Sequence, residues 1–136
     1  SNSGYCGHAQ GTGCTQSDWS GGGIGFTFSS SSLNGVETVC ANYDASAYTG
    51  IGFDAKGSGE IRAEICTSDV TDSDCHGAFV VLSSINWTHF DLRWPTLTQN
   101  GGAAKPFNKA HLKKIQFLAK AQNYNFDIDN VSFLNN

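Results

Sequence analysis

Short runs in which apolar and polar residues alternate one for one dominate this chain. Ile24-Gly25-Phe26-Thr27-Phe28 has period two, as do Ile51-Gly52-Phe53, Ile61-Arg62-Ala63-Glu64-Ile65 and Ile115-Gln116-Phe117-Leu118. Phe90, Leu92 and Trp94 alternate with His89, Asp91 and Arg93, and Phe126-Asp127-Ile128-Asp129 with Val131-Ser132-Phe133 forms a last strand. Successive side chains of an extended chain point to opposite sides, so each run predicts a strand with one buried and one wet face. Sixteen Gly, with many Ser and Asn, supply the turns between them. Helical periodicity is confined to a turn around Asn108 to Leu112, after Pro106, leading into the strand at Ile115. The run Ser29 to Ser32 reads as a loop tip. Strands this short and dense predict an all-β sandwich or barrel, with residues 1–136 as one domain.

Composition narrows the picture. A chain of 136 residues buries a real core, and 39% hydrophobic against 15% charged residues is the balance of a globular domain. The net charge of -4 argues against nucleic acid, whose phosphates need a basic face. No apolar run approaches the length that crosses a bilayer. The absence of Met and the opening Ser1-Asn2-Ser3 suggest a piece cut from a longer protein, with any targeting signal or catalytic domain elsewhere. The five Cys are an odd number. Cys6 and Cys14 flank a Gly-rich stretch, and Cys66 and Cys75 flank an acidic one, Thr67 to Asp74. Each pair would close a short loop, which suits a secreted, extracellular protein. Cys40 is then the free thiol, or displaces Cys6 or Cys14. Zinc would want closer Cys or His spacing.

Catalytic chemistry finds little support. A glycoside hydrolase needs two carboxylates at a set separation, and nothing marks a pair among Glu37, Glu60, Glu64 and Asp residues that mostly sit in turns. A Gly-x-Ser-x-Gly nucleophile is absent. Gly50 to Ala55 lies inside an alternating strand, which excludes a dinucleotide fingerprint. Asp69 to Asp74 lacks the Gly and distal Glu of an EF-hand, so a solvated loop is expected there. Aromatic residues are more informative, because sugar rings present apolar C–H faces edged by hydroxyls. Trp19 sits in a flexible Ser/Gly stretch and is a candidate stacking platform. Trp94 shares the parity of Phe90 and Leu92, which favours the core, unless a distortion at Pro95 turns it outward. Trp87 inclines to the core. By alternation Arg62, Glu64, His89, Asp91, Arg93 and Gln116 point outward, as a hydrogen-bonding site or as an ordinary wet face.

Several stretches together resemble a known family. They are Tyr43 to Gly57, Ile61 to Ile65, Trp87-Thr88-His89-Phe90-Asp91-Leu92, Leu97-Thr98-Gln99, Leu112 to Phe117 and the closing Phe126 to Phe133 with its Asp129-Asn130-Val131. Gly4 to Phe28, with His8 and Trp19-Ser20-Gly21-Gly22, extends the likeness. Their order and spacing resemble the galactose-binding-like jelly rolls that serve as carbohydrate-binding modules of bacterial cellulases. The resemblance implies a two-sheet antiparallel β-sandwich with a groove on its concave sheet. It implies a non-catalytic, monomeric module that binds β-linked glucan (cellulose chains, mixed-linkage glucan or xyloglucan) and targets a covalently linked hydrolase. His8, Arg62, Glu64, His89, Arg93 and Gln116 would line the groove, with Trp19 or Trp94 as stacking platforms. It also implies a structural calcium ion to which Asp129 contributes, although the acidic first strand that supplies the other ligands is not in this sequence. A small secreted hydrolase or lyase, or an adhesion domain, is the alternative.

Overall fold

The structure, a computed structural model, describes residues 6–11, 22–28, 30–33, 36–39, 42–119 and 123–135, and only the backbone of 30–33, 36–39 and 83–84. The described residues form eight strands: β1 (Gly7–Gly11), β2 (Gly23–Thr27), β3 (Ser30–Leu33), β4 (Val36–Val39), β5 (Gly50–Thr67), β6 (His76–Arg93), β7 (Leu112–Ala119) and β8 (Tyr124–Leu134). The only helical element among the described residues is a single 3-10 turn, Trp94–Thr96.

β5 is the spine. Its first half pairs with β8 on one side, from Gly50 opposite Leu134 to Ser58 opposite Asn125. Its second half pairs on that same side with β7, from Ile61 opposite Ala119 to Thr67 opposite Leu112. β6 runs antiparallel along the other side of both halves. β1 extends β8 and β2 extends β7. Between the halves lies a crease. Gly57 and Gly59 have φ of 139° and 99°, conformations open to glycine, and a Cβ on Gly57 would lie 2.4 Å from the Asn125 carbonyl oxygen. A register shift at the crease throws β6 into a bulge that leaves Ile85 90% exposed.

Folded there, the sheet closes into two facing layers. Layer one holds β1, β8, the first half of β5 and the end of β6; layer two holds β2, β7, the second half of β5 and the start of β6. The odd residues of β5 face inward throughout: Ile51, Phe53 and Ala55 from one layer, Ile61, Ala63 and Ile65 from the other, all at most 1% exposed. Phe53 meets Phe117 edge-on across the interior, ring centres 4.8 Å apart. Burying side chains of this size contributes roughly 1.5–3 kcal/mol each. Tyr43 and Tyr48 stack on Phe133 and close one end of the core. The result is the antiparallel jelly-roll sandwich expected from the alternation and the resemblance.

One local expectation changes and two are resolved. Ser30–Leu33 is a strand paired with Val36–Val39, not a loop tip, since the ladder is made by backbone groups that serines also carry. Residues 108–112 form the expected turn into the strand: Asn108 Oδ1 accepts the Ala110 N–H, the Asn108 carbonyl accepts that of His111, and Leu112 already bridges to Tyr43. Trp94 remains in the core despite Pro95, 9% exposed, its Nε1 donating to the Tyr48 carbonyl at 2.7 Å.

Candidate functional site

The outer face of layer two is built around an unusual burial. Arg62 and Glu64 occupy outward positions of β5, yet they are 0% and 5% exposed. The segment after the 3-10 turn folds across them, with Thr98 bridging to Gly77 of β6. Arg62 Nε donates to Glu64 Oε1 at 2.7 Å, Nη1 to Asn100 Oδ1 at 2.7 Å, and Nη2 to the carbonyls of Thr98 (2.6 Å) and Cys75 (3.2 Å). A guanidinium offers five N–H donors, so this shell of acceptors lets the charge leave water. The Phe79 ring lies against it, 5.2 Å from the guanidinium carbon. Gln116 Nε2 donates to Glu64 Oε2 at 2.6 Å. Of the two ends of the Gln116 amide only the NH₂ can donate to a carboxylate, so this contact fixes which way the side chain presents its oxygen.

The covering segment is strapped down. Asp74 accepts the backbone N–H groups of Asn100, Gly101 and Gly102, and Asp72 accepts that of Ala103. The Ala103 contact, then the one from the Asp74 N–H, holds the Asp72 carboxyl below its ordinary pKa. Gln99 adds two bonds, to the Asp74 carbonyl and from the Lys105 N–H. His76 Nε2 lies 2.8 Å from the Lys105 carbonyl oxygen. The Cys66–Cys75 disulfide closes the base of the acidic loop, as its spacing suggested. The acidic side chains at 72 and 74 are therefore occupied as strap anchors.

Beside this network runs a shallow groove of about 300 Å³ along β2 and β7. Gly23, Gly25 and Thr27 pair with Leu118, Gln116 and Lys114, so the floor beside Gln116 carries no side chain from β2. On the far side of Arg62, Phe79 and Val81 of β6 stand 43% and 65% exposed. The face thus combines a bare floor, an exposed ring and one accessible polar group, Gln116, whose orientation is already set. Glu64, with both oxygens accepting hydrogen bonds, is committed to orientation rather than proton transfer.

The other predicted residues lie on the opposite side of the molecule. His8, His89 and Arg93 project from the outer face of layer one. His8 Nδ1 is 2.6 Å from Asp127, which also faces Lys56 at 3.2 Å. His89 meets Asp54 through Nδ1 at 2.7 Å and Asp91 through Nε2 at 3.2 Å. An imidazole donates from both nitrogens only when protonated, and the Asp54 contact foremost raises the His89 pKa above its ordinary value. Asn130 Nδ2, then His89, lower that of Asp54. Arg93 donates to Thr49 Oγ1 and to Asp91. Trp87, placed by the sequence in the core, lies half-buried on this face with the Lys56 ammonium 4.8 Å above its ring.

A single groove lined by all six polar residues is thus corrected to two faces. Glu64 and Gln116 meet on one and His8, His89 and Arg93 on the other. Arg62 is enclosed beneath the strap, and Trp94 is a core residue. Trp19 lies outside the described residues, as do Cys14 and Cys40; Cys6 is an exposed free thiol. Asp129 Oδ1 accepts the Asn130 N–H. Among the described residues no three His, Cys, Asp or Glu side chains form a metal-holding group. Phe79 was missed, although it falls out of phase with Ala78, Val80 and Leu82, which is the mark of an outward ring.

No protein-family model matches the chain, and no curated protein does. Among solved structures it is similar to the family 11 carbohydrate-binding module of the cellulosomal cellulase Lic26A-Cel5E of Clostridium thermocellum. Identity is 16% and the TM-score 0.59, over 96% of this chain and 88% of that one. A structure of a family 11 module from the same organism in complex with a beta-1,3-1,4-mixed-linked tetrasaccharide gives the same values. A solution structure of CtCBM11 gives a TM-score of 0.56. The likeness is one of fold.

Proposed function

We propose that this chain is a non-catalytic module that binds β-linked glucan along the outer face of layer two. The observation that carries the reading is the groove beside Gln116, with a glycine floor and the exposed Phe79 ring across the Arg62–Glu64 network. A pyranose ring has apolar C–H faces and a hydroxyl rim, which match an aromatic surface beside a preoriented polar group. The shared fold with a module captured on a mixed-linkage tetrasaccharide supports the same ligand class. In this reading the module acts as a monomer in an extracellular setting, consistent with its disulfide, and raises the local substrate concentration for a linked hydrolase. An open groove leaves much of the ligand hydrated, so affinity is moderate.

Affinity electrophoresis over mixed-linkage glucan, xyloglucan, hydroxyethyl cellulose, xylan and mannan tests this. Retardation by at least one β-glucan is expected, with Phe79→Ala weakening it roughly tenfold while the thermal midpoint holds. No retardation by any β-glucan, or release of reducing ends from them, would refute the reading.

A further inference from the structure

At the end of the sandwich, away from the groove, lies a second cleft of about 670 Å³. Its floor is apolar: Tyr48, Trp94, Pro95 and Phe107. Trp94 and Phe107 pack with ring centres 5.3 Å apart, and the Trp94 N–H is already given to the Tyr48 carbonyl, so the rings offer carbon surface. Two cations stand at its walls. Arg93 is held by Thr49 and Asp91, and Lys109 Nζ donates to the Ser46 carbonyl at 3.1 Å. The walls are fixed to one another, since the Ala45 N–H donates to the Lys109 carbonyl and that of Thr49 to Leu134. The nearby carboxylates, Asp91 against Arg93 and Asp44 on the Ser46 N–H, are not part of the cleft lining. In a chain of net charge -4, the lining of this cleft holds two cations and no acid.

We infer that this cleft is a second ligand site, for a carboxylated sugar ring: a uronic acid unit borne on a polysaccharide. The apolar face of the pyranose rests on the Tyr48, Pro95 and Phe107 surface, backed by the edge of Trp94, and its carboxylate accepts from Arg93 and Lys109 together. Guanidinium and ammonium bonds to a carboxylate are about twice as strong as neutral ones, which makes the charge the discriminating feature. That the carboxylate is carried by a sugar rests on the polysaccharide reading above, but the site does not share a lining residue with the groove.

Titration calorimetry with a xylo-oligosaccharide bearing one glucuronic acid, against the same oligosaccharide with its carboxyl reduced to the alcohol, tests the inference. The acidic form is expected to bind about tenfold tighter or more, and to weaken as salt rises toward about 0.5 M. Lys109→Met, at an exposed position, should abolish that preference and leave β-glucan binding and the thermal midpoint unchanged; Arg93→Lys should retain part of it. Equal binding of the two oligosaccharides, no binding of either, or loss of the acidic ligand on Phe79→Ala but not on Lys109→Met would overturn it. Neutral glucan and Phe79→Ala report on the groove separately, so either reading can fail alone.

Discussion

Single residues on the layer-two face separate packing from ligand contact. A Cβ added to Gly25 would meet the Ile115 carbonyl oxygen at 3.4 Å and Gln116 Cβ at 3.6 Å, ordinary contact, whereas one on Gly23 would come within 2.4 Å of the Phe117 carbonyl oxygen. Gly25→Val should therefore fold normally and fill the groove, lowering glucan affinity on the order of tenfold, about 1.4 kcal/mol, by titration calorimetry. Gly23→Ala should instead destabilise the fold by about 1–3 kcal/mol in urea melts. Arg62 is a third kind of residue. Removing its guanidinium leaves the Glu64 carboxylate buried, so Arg62→Ala is expected to cost roughly 3–5 kcal/mol of stability. An intermediate loss for Arg62→Met with Glu64→Gln would show that the uncompensated charge, not the missing volume, is responsible. The inward partners of these residues were plain in the sequence, since Ile61, Ala63 and Ile65 announce themselves by period two. The burial of Arg62 was not, because alternation says which way a side chain points and nothing about what later folds over it.

Among the elements, the strap over layer two depends on the loop below it. The Cys66–Cys75 bridge closes a loop of sequence separation 9, and restricting the unfolded chain over so short a span contributes about 2–3 kcal/mol. Reduction should lower the thermal midpoint on the order of 5–10 °C. Hydrogen exchange should show it loosening the Asn100, Gly101 and Gly102 amides, which donate to Asp74, before those of β8. Unchanged protection at these amides would mean that the strap is held without the bridge. The paired Cys were legible as a short closed loop, and so were β5, β7 and β8. The β3–β4 hairpin was not, because a run of serines carries no apolar period and its pairing is a property of the backbone. The acidic stretch was read as a solvated loop, and its task as an anchor for residues 100–103 escaped that reading because it depends on a contact some thirty residues away in sequence.

For the molecule as a whole, titrating groups of opposite sign bound the stable range. Asp54, held down by Asn130 and His89, and Asp72, held down by the strap amides, stabilise the fold fully above the ordinary carboxylate value of about 3.9. Their contribution is lost as pH falls through their depressed folded values. His89, raised chiefly by Asp54, contributes fully below about 6.5 and loses its contribution as pH climbs through its raised folded value. Thermal melts from acid to alkaline pH should therefore peak between those limits, and His89→Gln should flatten the alkaline limb and also shrink the part of the acid limb that Asp54 owes to His89. A melt that still declines with the same slope above neutrality would remove His89 as the cause. The sandwich itself was readable from strand density. Its division into two outer faces was not, because the pattern of β5 continues without a break through the crease at Gly57 and Gly59, and only the positive φ values there turn one strand into a member of both layers. The same crease gives frameshifts in the protein an asymmetric penalty. One residue inserted between Gly59 and Ile61 would swap the parity of everything after it on β5, exposing Ile61 and Ile65 and driving Arg62 and Glu64 into the interior, while the register of Gly50 to Ala55 stayed intact. Natural length variation along this strand should accordingly fall in the loop beyond Thr67 or come two residues at a time, which keeps the parity, and single insertions within the strand should be purged.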